Sequence, residues 1–275
     1  MARVTDLLYY PVKGCAGTSA RETVLTPAGP VHDRSFMVVS EEGGYRTQRR
    51  DPRLAVVRPA VSPDGAHLTL TAPGAGSLRL PVRTSGPRRA VDLFGTAYRG
   101  IDQGDEAAAW FSEVLGARSR LVRVPPEHHR VTDGMTPGTS GYADSCAVHV
   151  LSRATLDLLD RALAERGVRP LPVGRFRPNL VVDGWDEPHT EDRARLLRVG
   201  GAELGYAKLA IRCAVVLVDQ DQGVRAGPEP LRTLAGYRRA ARGGVAFGAK
   251  YAVLRPGSVA VGDEVEVGLW GRSEL

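Results

Sequence analysis

The sequence predicts a mainly β protein with a minority of helix, an α+β fold. Three observations lead there. The first hundred residues break into short β-prone runs parted by Gly, Pro and Asp clusters, the spacing of a barrel or sandwich. Apolar residues recur with a helical period in only a few segments. Strand-like runs then resume and continue to the C-terminal end.

The elements follow in order. DLLYYPV (6–12), SFMVVS (35–40), LAVVRPAV (54–61), HLTLTA (67–72) and LRLPV (78–82) read as strands, being rich in the β-branched and aromatic residues that suit a pleated surface. SEEGGYRT reads as a hairpin turn, because Gly43 and Gly44 accept positive φ. DEAAAWFSEVLG (105–116) is the first helix: acidic residues open it, Ala107, Trp110, Phe111, Val114 and Leu115 share a face, and Gly116 ends it. SRLVRV (119–124) is a strand, and residues 125–145 form a long polar loop of the kind that carries function. CAVHVLS (146–152) leads into the helix RATLDLLDRALAERG, with Ser152 as its N-cap. NLVVDG, LLRVG, AELGYAKLA and a run opened by Cys213 are strands. EPLRTLAGYRRAA (229–241) is a helix, and VAFGAKYAVL and DEVEVGL are the closing strands. A division falls at residues 1–118 and 119–275.

The chain has 275 residues, 43% apolar and 25% charged, which fits a globular protein with a full core. No apolar run is long enough to span a membrane, and MARVTDLLYYPVKG lacks the pattern of a signal peptide. Three widely spaced cysteines, Cys15, Cys146 and Cys213, argue against a disulfide framework and for a reducing, cytoplasmic setting. No Cys-x-x-Cys pair offers a zinc or iron–sulfur site. The net charge is +6, carried almost wholly by Arg; the only lysines are Lys13, Lys208 and Lys250. The Arg excess reads as codon usage or as preparation for an anionic ligand, whose oxygens match the guanidinium fork. The clusters RTQRRDPR and YRRAAR are too scattered for a nucleic-acid surface, and no such binding motif occurs.

Candidate chemistry gathers where basic residues and a thiol meet strand ends. Cys213 follows Arg212 in KLAIRCAVVLVDQDQG. As a small hydrophobe it belongs in a core; beside positive charge it favours the thiolate, the form that binds soft metals. Simple strand alternation puts Lys208 and Arg212 on the face opposite Cys213, so a strand end or bulge is needed to unite them. YPVKGC supplies Lys13 and Gly14, HDRSFMVV supplies Arg34, YADSC supplies Ser145 and Cys146, and RFRPNL supplies Arg177 and Asn179. Each alone is an ordinary turn residue or solvated cation. Together they form a set of donors suited to an anionic, many-edged ligand. His128 and His129 lie in the polar loop, and Asp219 and Asp221 suit a turn.

At this point the sequence resembles the MOSC family of molybdenum-cofactor proteins, in the amidoxime-reducing branch whose members carry an N-terminal β-barrel domain. The matching pieces are YPVKGC, HDRSFMVV, TQRRDPRL, RFRPNLVV, EDRARLLRVGGAEL, RCAVVLVDQDQG, EPLRTLAGYRR, FGAKYAV and RPGSVAVGDEVEV. They run the length of the chain in order. The resemblance implies an N-terminal β-barrel-like domain packed on a MOSC β-barrel with peripheral helices. It implies the molybdenum cofactor (Mo-molybdopterin), with Cys213 as the thiolate ligand of molybdenum and the catalytic centre. Lys13, Gly14 and Arg34 match positions that contact the pterin, and Ser145 and Cys146 match a pair that borders it. Arg177 and Asn179 match residues that hold its polar edge. Ile211 and Arg212 fall beside the metal ligand, and Arg49 falls near the mouth. Three departures stand out: Ala210 replaces a frequent second cysteine, Leu209 a frequent proline, and Cys146 a commoner Ser or Gly.

The implied function is that of an enzyme, an oxidoreductase reducing N-hydroxylated or other N-oxygenated small molecules. Two alternatives remain: a sulfur carrier with a persulfide on Cys213, or a carrier that binds the cofactor without turnover. With three cysteines the chain holds no iron–sulfur module, so electrons are expected from a separate ferredoxin or flavoprotein reductase. A monomer is expected, with neither membrane nor nucleic acid as partner.

Overall fold

The computed structural model describes residues 1–241 and 243–275. Arg242, the last residue of the YRRAAR cluster, lies outside them. The fold is mainly β. Its largest sheet has eight strands in the order Val265–Trp270, Ala194–Val199, Ala202–Arg212, Val245–Arg255, Val148–Ser152, Leu180–Asp183, Arg3–Tyr9 and Thr18–Ala20. A second sheet orders Arg88–Leu93, Thr96–Asp102, Ser119–Arg123, Phe36–Ser40 and Val12–Lys13. Smaller sheets join Glu22–Thr26 to Gly257–Ala260 and build a meander from Arg58–Val61, His67–Ala72 and Gly76–Pro81. None of the described strands closes a sheet on itself.

The chain does not fill one sheet and then the other. Arg3–Tyr9 pairs antiparallel with Leu180–Asp183, so the first strand belongs to the sheet of the C-terminal half. Ser119–Arg123 pairs with Phe36–Ser40 and with the end of Thr96–Asp102, so it belongs to the sheet of the N-terminal half. The segment around Tyr10–Gly14 therefore passes from one sheet to the other.

Each sheet buries its own core. Val4, Leu7, Val148, Val150, Leu180, Val182, Leu204, Tyr206 and Tyr251 fill the larger one. Val12, Phe36, Val38, Leu54, Leu68, Leu70, Trp110, Phe111 and Leu121 fill the other. The first helix spans Asp105–Leu115 and stops at Gly116, whose φ of 66° is the left-handed cap the sequence predicts. The second spans Arg153–Ala164, and Ser152 Oγ accepts from the Thr155 amide at 3.2 Å. In SEEGGYRT the backbone reverses between Ser40 and Gly44; Gly43 has φ 88°, and a Cβ there would lie 2.5 Å from the Ala90 carbonyl oxygen.

Three expected elements differ. LAVVRPAV opens with a 3-10 turn, Pro52–Val56, and becomes a strand only at Arg58, because proline favours the first turn of a helix. The helix expected over 229–241 reduces to Leu231–Leu234. Gly236 interrupts it, and Arg238 Nη2 donates instead to buried Asp192 at 2.5 Å. Cys213 does not open a strand. The strand ends at Arg212, and Cys213 caps a 3-10 turn over Ala214–Leu217. No described helix is long and apolar enough to cross a membrane.

Candidate functional site

Loops and strand ends from both sheets meet at a cavity of about 330 Å³. The residues that the resemblance assigns to the cofactor site line it: Lys13, Gly14, Arg34, Arg49, Ser145, Cys146, Arg177, Asn179, Ile211, Arg212 and Cys213; His128, His129, Asp219 and Asp221 do not. Sequence reasoning passes over Arg46, Gln48, Asp144 and Lys250, which line it too, as does Lys208. One compositional signal pointed there. The protein writes its cations as arginine, yet all three of its lysines lie on this cavity.

The strand Ala202–Arg212 reaches the cavity in an irregular register. Opposite it in Val245–Arg255, Leu209 pairs with Ala249 and Ile211 with Ala246. Ala210 is therefore faced by two residues, Phe247 and Gly248. Gly248 has φ 80°, and a Cβ there would sit 2.5 Å from His149 Nε2, so only glycine fits this bulge. The extra residue lies in Val245–Arg255, and along the facing chain consecutive residues from Lys208 to Cys213 all reach the cavity wall. What unites Arg212 with Cys213 is the end of the strand at Arg212, where the chain turns into the 3-10 segment over Ala214–Leu217.

The three sulfurs have different settings. Cys15 is fully buried, and burial pushes its thiol up to about 12. Cys146 is 2% exposed, with its sulfur 3.8 Å from the Asp133 carbonyl oxygen. Cys213 alone is partly accessible, and its extended backbone (φ −116°, ψ −179°) stands at the cavity edge.

Two arginines are held rigidly behind it. Arg34 and Arg177 adopt φ of 45° and 57°, left-handed backbone that costs a non-glycine residue roughly 1–2 kcal/mol. Their guanidinium carbons lie 4.3 and 4.2 Å from the centre of the Tyr10 ring, a cation–π seat. Tyr10 is fully buried and its hydroxyl donates to the Pro178 carbonyl at 3.1 Å; burial pushes the phenol up to about 12. Arg34 Nη1 donates to both Asp33 oxygens at 2.8 and 2.6 Å. Asn179 is also on the wall, but its amide is fully engaged within the protein. Its Oδ1 accepts from the His149 amide and Arg34, and its Nδ2 donates to the Leu8 carbonyl and Asp33. Asn179 thus positions Arg34.

The cavity is strongly cationic. Lys13, Arg34, Arg46, Arg49, Arg177, Lys208, Arg212 and Lys250 line it, against Asp144 as the single acidic lining residue. Lys13 pairs with Asp144, Arg34 with Asp33, Arg46 with Asp51 and Lys208 with Asp133. Burial lowers the Lys13 amine, while Asp144 opposes that; burial would raise Asp144, yet the Lys13 ammonium holds it well below the usual carboxylate range. Arg49, Arg177, Arg212 and Lys250 have no carboxylate partner among the described residues. Burial, with Arg212 and Arg34 nearby, pushes Lys250 down to about 7.

Buried donors are also left over. Arg177 Nη1 donates to the Cys15 carbonyl at 2.6 Å and Arg212 Nη2 to the Phe176 carbonyl at 2.8 Å. Arg177 Nη2 and Arg212 Nε are buried with no partner. Unsatisfied buried donors are rare and point to a missing acceptor. No group of three His, Cys, Asp or Glu suited to a metal ion occurs among the described residues. The site can therefore grip a polyanion and presents one accessible thiol, that of Cys213.

Comparison with known proteins agrees with a site of this class. Residues 1–118 match the MOSC N-terminal beta barrel domain, and residues 137–266 match the MOSC domain. The chain belongs to the MOSC family. It is similar to mitochondrial amidoxime reducing component 2 of Rattus norvegicus, 34% identical over 284 residues that cover 95% of this chain and 82% of that protein. It is 31% identical to mitochondrial amidoxime-reducing component 1 of Homo sapiens, over 95% of this chain and 82% of the relative. Molybdenum cofactor sulfurase of Danio rerio is 31% identical over 89% of this chain, which spans 31% of that longer protein.

Proposed function

We propose that this chain is a molybdenum-cofactor-dependent oxidoreductase that reduces N-hydroxylated or related N-oxygenated small molecules. The observation that carries the reading is one accessible thiol, Cys213, in a cavity holding four cations without carboxylate partners. The names of the amidoxime-reducing relatives support the reaction class.

The residues present fit the cofactor. Its phosphate and polar edges would take the free donors of Arg177 and Arg212, the Lys250 ammonium and the Arg34 guanidinium, charge-assisted bonds of the strong kind. The Cys213 thiolate would ligate the metal, a soft ligand for a soft site. When bound, the cofactor supplies the two-electron redox centre and the ligands that the protein lacks. Removing oxygen from a hydroxylamine to give amine and water uses two electrons and two protons. A separate electron-donor protein would supply the electrons, and the exposed arginines at the mouth favour encounter with an acidic one. Tyr10, Asn179 and Asp33 keep Arg34 and Arg177 fixed, so the site is ordered before the anion arrives. The three free cysteines suit a reducing compartment such as the cytoplasm. The segments 1–118 and 119–275 are proposed as the two sequence units.

Metal analysis of protein made in a cofactor-producing host tests this directly. The expected result is stoichiometric molybdenum in the wild type, lost in C213S, and reduction of a model amidoxime with a chemical electron donor. Cyanide-releasable sulfur on Cys213 without metal would replace the reading with the sulfur-carrier one. Bound cofactor without reduction would leave a carrier.

A further inference from the structure

Phe94 is in an unexpected conformation. It stands with Gly95 at the tip of the hairpin between Arg88–Leu93 and Thr96–Asp102, where Leu93 pairs with Thr96. Both tip residues have positive φ, 57° and 79°, the geometry of a two-residue primed turn. Asn, Asp or Gly normally fills the first of these places, and a bulky residue there is an outlier. The ring does not compensate by packing into a core. It is 43% exposed.

Its position relates it to the site. The ring centre is 4.9 Å from that of Tyr45, tilted by 58°, and 4.9 Å from Lys13 Nζ. Lys13 lines the inner cavity. Tyr45 lines a second, outer cavity of about 500 Å³, which shares Arg46, Thr47 and Arg49 with the inner one. Tyr45 therefore stands in the outer wall beside the residues shared with the inner cavity, and Phe94, which lines neither cavity, backs Tyr45 and Lys13. Strained residues that persist at such places point to function.

We infer that Tyr45, positioned by the Phe94 ring, is the specificity-determining platform for the substrate, seating a flat aryl group in the outer cavity while the N-oxygenated end enters the inner one. This deepens the reductase reading and rests on it. An offset or tilted aromatic contact suits such a group. The Lys13 ammonium and, 5.9 Å from the Phe94 ring centre, Arg130 bring positive charge to the ring pair.

The test compares benzamidoxime with acetamidoxime, which share a reacting group and differ in the ring, using cofactor-loaded wild type, F94A, F94Y and F94W. F94A should lower the benzamidoxime-to-acetamidoxime ratio of kcat/KM about five- to tenfold, mainly through KM. F94Y and F94W should restore it. An unchanged ratio in F94A overturns the inference. F94N suits left-handed backbone and should not lower the thermal midpoint; a marked fall would show that the ring is packing and overturn the platform. If the wild type reduces neither compound, the reductase reading fails, and calorimetric binding of benzamidoxime decides the platform alone. Weaker binding to F94A then supports it, and equal binding overturns it.

Discussion

Lys250 shows how far one residue's setting can depart from what its neighbours in sequence suggest. It lies mid-strand, directly opposite Lys208 in the ladder and beside His149 on the other side. Burial and the Arg212 and Arg34 charges push its amine from 10.5 down to about 7. The unfolded chain keeps that proton up to its ordinary value. Between these two values the unfolded state binds more protons, so stability rises with pH. Below the lower value both states are protonated and the whole penalty stands. Raising the pH from about 7 to about 9 should therefore stabilise cofactor-free wild type relative to K250M by about 2 kcal/mol, cavity water screening the rest. Urea titrations at the two pH values measure this; parallel behaviour of the two proteins would remove Lys250 from the role. Sequence reasoning reaches Lys13, Arg34 and Arg177 because each sits in a motif at a strand end. It passes over Lys250, since a mid-strand position suggests packing. It also assigns Asn179 to a ligand, because no spacing reveals that four protein partners already hold its amide.

The long strand ending at Arg212 and its partner Val245–Arg255 decide the site's shape. Period-two alternation, the rule that makes strands legible in sequence, would set Arg212 and Cys213 on opposite faces. The rule lapses because the strand stops at Arg212 and the chain turns there, while a glycine bulge at Gly248 shapes the facing strand. FGAK gives no sign of it beyond the glycine itself, because its necessity comes from His149 and the Val150 carbonyl, a hundred residues away. G248A should cost about 3 kcal/mol through both backbone strain and overpacking, read from a shift in denaturation midpoint. The same variant should lower molybdenum retention, since the wall carrying Cys213 must shift. A neutral G248A would mean that the strand pair yields easily. Helices show the converse. Asp105–Leu115 and Arg153–Ala164 were legible because caps and periodicity are local signals. The stretch after Glu229 was not, because Arg238 leaves the helical path for Asp192, a distant buried carboxylate.

At the scale of the whole molecule, the β-rich class follows from composition and patterning, whereas the interleaving of the sheets does not. Nothing in DLLYYPV or ETVLT says that their partners lie at Leu180–Asp183 and Gly257–Ala260. Residues 119–275 expressed alone would lack Arg3–Tyr9, leave Leu180–Asp183 as an open hydrophobic edge, and carry Ser119–Arg123 without its sheet. Such edges template aggregation. The fragment should fail to melt cooperatively by circular dichroism, and a sharp transition would show the larger sheet to be self-sufficient. The same threading constrains biosynthesis. The opening strand leaves the ribosome with its complement still about 170 residues from being made, a wait of roughly 10–35 s at common elongation rates. Through that interval a nascent chain displays an unmated ribbon, so this protein's need for chaperones begins as soon as Arg3–Tyr9 emerges.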